Sequence, residues 1–313
     1  MHNMRSIFPF MTTTKIPENI QECLSDYAFH ELTDSLHESK GFDFLIPEER
    51  YVKINDLWLF KYVENKRKAN AQAVERLHKQ WSQKATEEGR VISSEMIEAW
   101  WEQAEREVLK MDPIQALAVY VVYDEQNGRI WCGGNTNGHC QRALKHLRSA
   151  IGSLKTTPLI YDIAGRQLSR QICKGMAYRE DFPASLLVPE NGKLTAASPD
   201  QTVTLDGVDL RERGVGEVLE GMSVRSVEMY LTRPKEQGEQ DVVATFTLQI
   251  PETGAIFIKG LNYEGAAARD EGDTEHHYAT EMLIVSGFAW DIFDALRAYF
   301  HGTTGVARTA YSE

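Results

Sequence analysis

The pattern of hydrophobic and polar positions along the chain alternates between the period of strands and the period of helices. The segment 53–63, KINDLWLFKYV, is rich in aromatic and β-branched residues and is bounded by charge, which predicts one strand. The segment 114–124, IQALAVYVVYD, has the same character. It is followed by the turn Glu-Gln-Asn-Gly and then by RIWC at 129–132. Because Asn-Gly is typical of tight turns between strands, these residues predict a β-hairpin.

Two helices are predicted between these strand segments. Apolar residues recur at helical spacing over 69–83. A second helix is expected to begin at Ser93 or Ser94, where a serine hydroxyl can cap the first turn. The segment 69–110 is therefore predicted to be a long helical hairpin, in which Trp100 packs on the apolar face of the second helix. That face is predicted to contain Met96, Ile97, Trp100, Ala104 and Val108.

The stretch WCGGNTNGHC at 131–140 places two cysteines, a histidine and three glycines in ten positions. Its glycine spacing matches neither G-x-x-x-x-G-K-[ST] nor G-x-G-x-x-G, which weighs against a phosphate-binding loop. Cys132, His139 and Cys140 supply at most three of the four ligands of a structural zinc site. We therefore expect a turn from a strand into a helix, capped by Asn135, Thr136 or Asn137.

The cysteine spacing and the lengths of the apolar runs indicate whether the protein is disulfide-bonded, secreted or membrane-bound. The four cysteines, at positions 23, 132, 140 and 173, form no dense disulfide framework, so reduced and buried thiols are expected. No run of 18 apolar residues occurs, and the first residues lack the apolar core of a secretory signal. We expect a cytoplasmic protein with no membrane partner.

Charge is strongly segregated along the chain. The net charge is −12, but residues 129–179 contain nine Lys or Arg against one acid, a local balance of +8. Residues 53–90 have a balance of +4, and the other 224 residues therefore have −24. This segregation predicts one surface that attracts a polyanion on a body that otherwise repels it.

The candidate contacts for such a polyanion are cations on or beside the predicted helices. Arg142, Lys145 and Arg148 fall on the polar face of the helix after the glycine-rich turn, opposite apolar residues such as Ala143 and Leu147. For each candidate cation, a solvated side chain without a ligand remains the alternative. The full set is Lys66, Arg67, Lys68, Lys79, Lys84, Arg142, Lys145, Arg148, Lys155, Arg211 and Arg213.

The order of these elements resembles that of a known family. After the helical hairpin come a strand ending in Asp124, a turn at Asn127-Gly128, a strand at Ile130 and the segment LRSAIGSLKTTPL at 147–159. In this order the chain resembles the recombination-associated protein RdgC family of proteobacteria. Two places depart from the family pattern: LKMDPIQALAVY (109–120) lacks the Pro-Arg-Ala-Phe segment, and VTLDGVDLRERG (203–214) replaces a basic patch.

The resemblance continues diffusely towards residue 300. VLEGMSVRSVEMYL (218–231) is similar to the family's short acidic helix and following strand, and VVATFTLQI with AIFIKGLNY is similar to its late hairpin. HHYATEMLIVSGFAWDIFDAL is similar to its closing helix, strand and helix. The resemblance implies an α+β subunit of mixed antiparallel sheets with a projecting helical hairpin, shaped as a horseshoe that closes into a ring-shaped dimer.

The resemblance also implies a function. Members of the family are homodimers that encircle duplex DNA with little sequence preference, restrain RecA-promoted recombination and associate with the nucleoid. They are not enzymes, and the resemblance implies neither a cofactor nor a metal. Single-stranded DNA is a further possible ligand.

Two alternatives belong to other classes. If DNA binding was lost with the departures from the family pattern, the protein is a protein-interaction module, such as an inhibitor of a recombinase or nuclease. The tract DEGDTEHHYATE (270–281) contains acids and histidines that are potential ligands for a divalent cation, and this keeps a metal-dependent nuclease open. A solvated loop and helix start is the favoured interpretation of that tract.

Domain boundaries are weakly marked in the sequence. Residues 1–65 and 111–182 are expected to form a central α+β region, 66–110 the helical hairpin, and 183–313 a second α+β region. The Pro-, Ser- and Asn-containing segment 183–201 is the candidate connection between the halves, and 232–241 is a candidate hairpin loop.

Overall fold

The computed structural model describes residues 6–33, 37–174, 182–210, 212–234, 240–263 and 274–304. Within these ranges the protein is a mixed α+β structure with a large antiparallel sheet and seven helices, which confirms the expected α+β class. The chain divides into two compact units. The sheet unit comprises 1–24, 44–61 and 119–313, and the hairpin unit comprises 25–43 and 62–118.

The strands and helices of the described residues are numbered in chain order. The strands are β1 (Ile7–Thr12), β2 (Glu38–Phe42), β3 (Tyr51–Ile54), β4 (Leu57–Lys66), β5 (Gln115–Asp124), β6 (Arg129–Gly133), β7 (Thr156–Pro158), β8 (Leu186–Leu187), β9 (Gly192–Ala197), β10 (Thr202–Val208), β11 (Ser223–Pro234), β12 (Gln240–Gln249) and β13 (Phe257–Tyr263). The helices are α1 (Ile20–Ser25), α2 (Ala71–Glu87), α3 (Ser94–Met111), α4 (Asn137–Ile151), α5 (Ala164–Cys173), α6 (Arg213–Leu219) and α7 (Thr274–Thr304).

The first strand of the chain lies inside the sheet rather than at its edge. The strand order is β10, β9, β11, β12, β13, β1, β6, β5 and β4. One edge of β1 pairs with β6, with Phe8 opposite Cys132, and the other edge pairs with β13 at Ile7 and with β7 from Phe10 onward. Strand β1 therefore joins the early strands β4 to β6 to the late strands β9 to β13.

Helices cover both faces of this part of the sheet. Trp131 of β6 is buried in one core cluster with residues of α7, such as Phe293, and its indole Nε1 donates to Ser286 Oγ at 2.9 Å. The neighbouring residue Cys132 faces the opposite way, because alternate side chains of a strand point to opposite faces. Its carbonyl oxygen lies 3.9 Å from Cys140 Sγ of α4. The sheet is therefore held between α4 and α7.

The prediction of one strand over 53–63 was wrong. The structure has two antiparallel strands, β3 and β4, which pair Ile54 with Leu57 across a turn at Asn55 and Asp56. Asn55 has φ of 52°, a left-handed conformation that asparagine adopts more readily than most residues. The apolar character of the whole segment therefore gave no indication of the two-residue turn within it.

The closing segment also differs from its prediction. The expected helix, strand and helix are one helix, α7, with 31 residues. Its buried residues recur every three or four positions, so a single face packs on the sheet. A short apolar run such as MLIVSGFAW does not distinguish a strand from a buried helix by its period. The buried residues are Met282, Val285, Ser286, Ala289, Trp290, Ile292, Phe293, Leu296, Tyr299 and Phe300.

Two segments that were expected to be connections contain strand residues in the structure. Residues 183–201 contain β8 and β9, and β9 pairs with both β10 and β11, so this segment is part of the sheet. Strand β12 pairs with β13, which confirms the predicted late hairpin. Strands β11 and β12 pair as far as Pro234 opposite Gln240, so residues 232–234 and 240–241 belong to strands rather than to the expected loop. Residues 235–239 lie outside the described residues.

The hairpin unit contains the two helices predicted from the apolar period. Asn70 caps α2 and Ser93 caps α3, as a side-chain oxygen of each accepts a bond from the first turn. Val74, Ala104 and Val108 form the core between the helices. Trp100 is half-buried. No helix among the described residues is long and apolar enough to cross a membrane.

The bond between Trp131 and Ser286 gives a test of the contact between the sheet and α7. Ser286→Ala leaves the buried indole N–H without its acceptor, and we expect the free energy of unfolding to fall by about 1–3 kcal/mol in urea titrations. Ser149→Ala, at an exposed position of α4, is the matched control with an expected change within about 0.5 kcal/mol. Equal stabilities of the two variants would contradict this account of the packing.

Candidate nucleic-acid interface

The glycine-rich stretch 131–140 is the turn between β6 and α4, as predicted. Thr136 is the cap: it has an extended backbone, and its Oγ1 accepts a hydrogen bond from the His139 amide at 3.3 Å. Gly134 lies where a Cβ atom would be 3.0 Å from Cys140 Sγ, so a larger residue would push into the helix. The glycine at this position allows α4 to pack close to β6.

All four cysteines are free, but the expectation of buried thiols holds for only part of the set. Cys132 and Cys140 are buried, Cys23 is half-buried and Cys173 is exposed. Burial raises the pKa of the Cys132 thiol well above its usual value, and the neighbouring Cys140 thiol raises it further. Burial also raises the pKa of Cys173. Because the thiolate is the reactive form, this environment makes Cys132 a packing residue rather than a nucleophile.

The predicted cations around α4 lie on its polar side. Arg142, Lys145 and Arg148, called the α4 face below, are exposed, while Ala143 and Leu147 are buried. Arg148 Nε donates to the Leu154 carbonyl at 2.8 Å and so fixes the loop that follows the helix.

Lys155 comes directly after that loop. Its backbone amide donates to Thr14 Oγ1 at 3.0 Å, and its side chain is exposed. The backbone at Lys155 is therefore held in place while the side chain remains accessible to a ligand.

A second group of cations, on α5, was not predicted from the sequence to be a binding site. Arg166, Arg170 and Lys174, called the α5 row below, are exposed and four residues apart, so they lie on one side of α5. They line a cavity of about 560 Å³ together with Glu220 and Met222. The opposite side of α5, including Leu168 and Ile172, is buried.

The α5 row was missed because α5 itself was not predicted. Its first residue follows Ile163, which makes no side-chain capping bond, and three polar residues of the helix are buried. The buried polar residues, Gln167, Ser169 and Gln171, interrupt the usual apolar stripe. The spacing of Arg166, Arg170 and Lys174 was the available signal.

Most cations of the two groups have no carboxylate partner among the described residues. No ion pair with a described carboxylate forms at Lys145, Arg148, Lys155 or any residue of the α5 row. Elsewhere, Arg129 pairs with Asp294 at 2.8 Å and Arg233 pairs with Asp291 at 2.9 Å. The basic stretch of the sequence is thus largely available for an external anion.

The predicted cations of the hairpin unit lie among more acids. Lys79 forms an ion pair with Glu75 at 2.7 Å, and Arg67 is half-buried and donates to the Thr33 carbonyl at 3.4 Å. Lys66, Lys68 and Lys84 are exposed. Residues 71–111 contain eight acids and six bases, which weakens the attraction of this unit for a polyanion. The predicted cations therefore belong to both units of the chain.

The other residues predicted as possible ligand contacts, Arg211, Arg213 and the acidic tract 270–281, lie partly outside the described residues. Arg213 is the first residue of α6, and Arg211 lies outside the described residues, as do residues 270–273 of the acidic tract. His277 Nε2 lies 3.3 Å from Glu281 Oε2 on α7. No group of three or more His, Cys, Asp or Glu is placed to hold a metal ion in the part of the chain that the structure describes.

Comparison with known proteins gives no family for this chain. No family model matches it, and no curated protein matches it. The functional argument therefore depends on the charges and positions of the residues described above.

The cysteine environments predict an order of chemical modification. With the folded protein and iodoacetamide at pH 8, we expect Cys173 to react before Cys132 and Cys140, because its side chain is exposed. Cys132 and Cys140 should react only after unfolding, since burial excludes the reagent and the raised pKa of Cys132 keeps its thiol protonated. Peptide mass spectrometry over time gives the order. Modification of Cys132 at the rate of Cys173 would contradict the packing of α4 on β6.

Proposed function

We propose that this protein binds duplex DNA without sequence preference, through the α4 face, Lys155 and the α5 row. The observation that supports this proposal is the set of exposed cations on α4, α5 and the intervening loop, most of them without a carboxylate partner among the described residues, in a protein with a net charge of −12. Elsewhere the surface is predominantly acidic, which disfavours nucleic acid away from these residues.

The geometry of the α5 row suits contacts with a phosphate backbone. From residue 166 to residue 174, a helix rises by about 12 Å, so the row spans several phosphates of one strand. Lys and Arg contacts to phosphate give affinity and orientation without reading the bases. The expected ligand is therefore the backbone itself, and binding is expected to weaken steeply with salt.

The resemblance to the RdgC family extends this proposal to the whole assembly. In the extended proposal the protein is a nucleoid-associated, cytoplasmic homodimer that closes into a ring around duplex DNA and restrains RecA-promoted recombination. The order of the helical hairpin, β5, β6 and α4 supports it, together with LRSAIGSLKTTPL at 147–159. The single long helix α7 is a departure from the family pattern, in addition to those in the sequence.

A second candidate function is supported by the hairpin unit. Ile97 and Trp101 of α3 are one helical turn apart, and 43% and 44% of their surfaces are exposed. Exposed apolar residues one turn apart are typical of helices that contact another protein. In this alternative the protein is an interaction module, for example for a recombinase or nuclease.

The α5 row provides the first test of DNA binding. We expect the triple substitution Arg166→Gln, Arg170→Gln and Lys174→Gln to lower the salt slope of duplex binding by about 1 for each phosphate that is no longer neutralised. The measurement is fluorescence anisotropy with a random-sequence duplex, first with magnesium and then with chelator, followed by a check that the DNA is intact.

A control variant separates local contacts from net charge. Lys79→Gln, Arg90→Gln and Arg106→Gln change the net charge equally, but these side chains form ion pairs with Glu75, Glu88 and Glu102 within the hairpin unit. We expect its salt slope to match that of the parent protein. Equal reductions of the salt slope in both triple variants would refute a specific role for the α5 row, and magnesium-dependent cleavage would favour the nuclease.

The α4 face gives a parallel test. Charge reversal at Arg142, Lys145 and Arg148 together is expected to weaken duplex binding, since repulsion replaces attraction at up to three phosphates. Circular dichroism checks that the variant is folded, because Arg148 also donates to the Leu154 carbonyl. Unchanged affinity in this variant would remove α4 from the interface.

A further inference from the structure

A cavity of about 460 Å³ lies beside β7 in the sheet unit, away from the α5 row. The described residues of its lining combine cations with hydroxyl groups and include no acidic residue. The polar side chains that matter here are those of Thr13, Lys155, Thr157, Tyr161, Arg297 and His301. A lining with several donors and no carboxylate is suited to a negatively charged ligand.

The basic side chains reach this cavity from separate elements. Lys155 comes from the loop before β7, while Arg297 and His301 are one turn apart on α7. Arg297 is exposed and forms no ion pair with a described residue. Asp294, the nearest acid on the same helix, is paired with Arg129 at 2.8 Å. Arg297 is therefore not neutralised by an ion pair with a described residue, although the charge of Asp294 does act on Tyr161.

Tyr161 adds a hydroxyl donor to these cations. Only 4% of its surface is exposed, and its hydroxyl forms no hydrogen bond with a described residue. The ring lies edge-on to His301, with centroids 5.7 Å apart. Burial raises the pKa of Tyr161 to about 12, so the hydroxyl stays protonated near neutral pH and can donate to an oxyanion.

We propose that this cavity binds a phosphate monoester attached to an organic group, such as a nucleoside 5′-monophosphate. Arg297, Lys155 and Tyr161 would donate to the phosphate oxygens, and the apolar lining residues Met11 and Leu159 would contact the organic group. The volume is within the range of small-molecule sites and exceeds the need of an inorganic ion. An arginine beside a phosphate can also form two parallel hydrogen bonds.

The same phosphate chemistry has two sources, a free nucleotide and the 5′ end of a nucleic-acid strand. The proposal does not depend on binding along a duplex, because its residues other than Lys155 are not those proposed to contact the backbone. The experiment therefore includes ligands of both kinds.

The test uses the full chain with adenosine 5′-monophosphate and, as a neutral ligand, adenosine. We expect the monophosphate to bind in isothermal titration calorimetry and adenosine to bind at least about tenfold more weakly, since it cannot form the charged hydrogen bonds. Arg297→Gln should weaken monophosphate binding by about 10- to 100-fold for the same reason. Lys259→Gln, an exposed lysine of β13 outside this cavity, is the control and should not change it.

A second arm compares duplexes that differ only in a 5′-phosphate or 5′-hydroxyl end. A preference for the phosphorylated end that disappears in Arg297→Gln supports the site and assigns it to strand ends, whereas binding of the free monophosphate alone assigns it to nucleotides. The proposal is overturned if adenosine 5′-monophosphate does not bind and the duplexes show no preference for the 5′-phosphate. It is also overturned if Arg297→Gln, with an unchanged circular dichroism spectrum, keeps the monophosphate affinity and any end preference of the parent protein. Duplex binding is measured on the same protein samples, with and without the α5-row substitutions. Its loss in the α5-row variant tests the proposed function independently of monophosphate binding in the cavity.

Discussion

The pairing of β1 between β6 and the late strands is the constraint on which the rest of the sheet unit depends. Ile7, Phe8 and Phe10 are buried, and Phe8 stacks on Phe257 of β13 with ring centroids 4.5 Å apart. Residue 7 pairs with residues 133 and 258, so the first strand brings together segments that are far apart in sequence. Such long-range pairing has a large loop-closure cost, which the burial of these side chains offsets.

The packing of helices on both faces of the sheet determines which helix surfaces are exposed and can bear charged residues. Because α4 and α7 cover opposite faces of the sheet, each exposes an outer side that can bear polar residues. Cations next to α7, such as Arg129 and Arg233, pair with acids of that helix. Most cations of α4, Lys155 and α5 have no such partners among the described residues. The functional proposal rests on the concentration of these cations in one stretch of the sequence, residues 142–174, which contains a single acid.

Local signals explain which parts of the fold were predictable. The helical hairpin, the hairpin of β5 and β6 and the Thr136 cap follow from period, turn chemistry and capping, all of which act over a few residues. The turn at Asn55 was missed because the residues on both sides of it have strand character, and α7 because a buried helix and a buried strand share the same composition.

The candidate site was predictable to a similar extent. The α4 face was found because α4 has a clear apolar stripe, whereas the α5 row was concealed by the buried Gln167 and Gln171. The cavity beside β7 could not be predicted, because it joins residues 155 and 297 through tertiary packing alone.

The most direct test of the account is the dependence of duplex affinity of the unmodified protein on salt concentration. If the exposed cations of α4, Lys155 and α5 contact phosphates, the logarithm of the association constant should fall with the logarithm of salt concentration with a slope of about −3 to −6. A slope near zero, or no binding at low salt, would contradict the claim that these cations form a nucleic-acid interface.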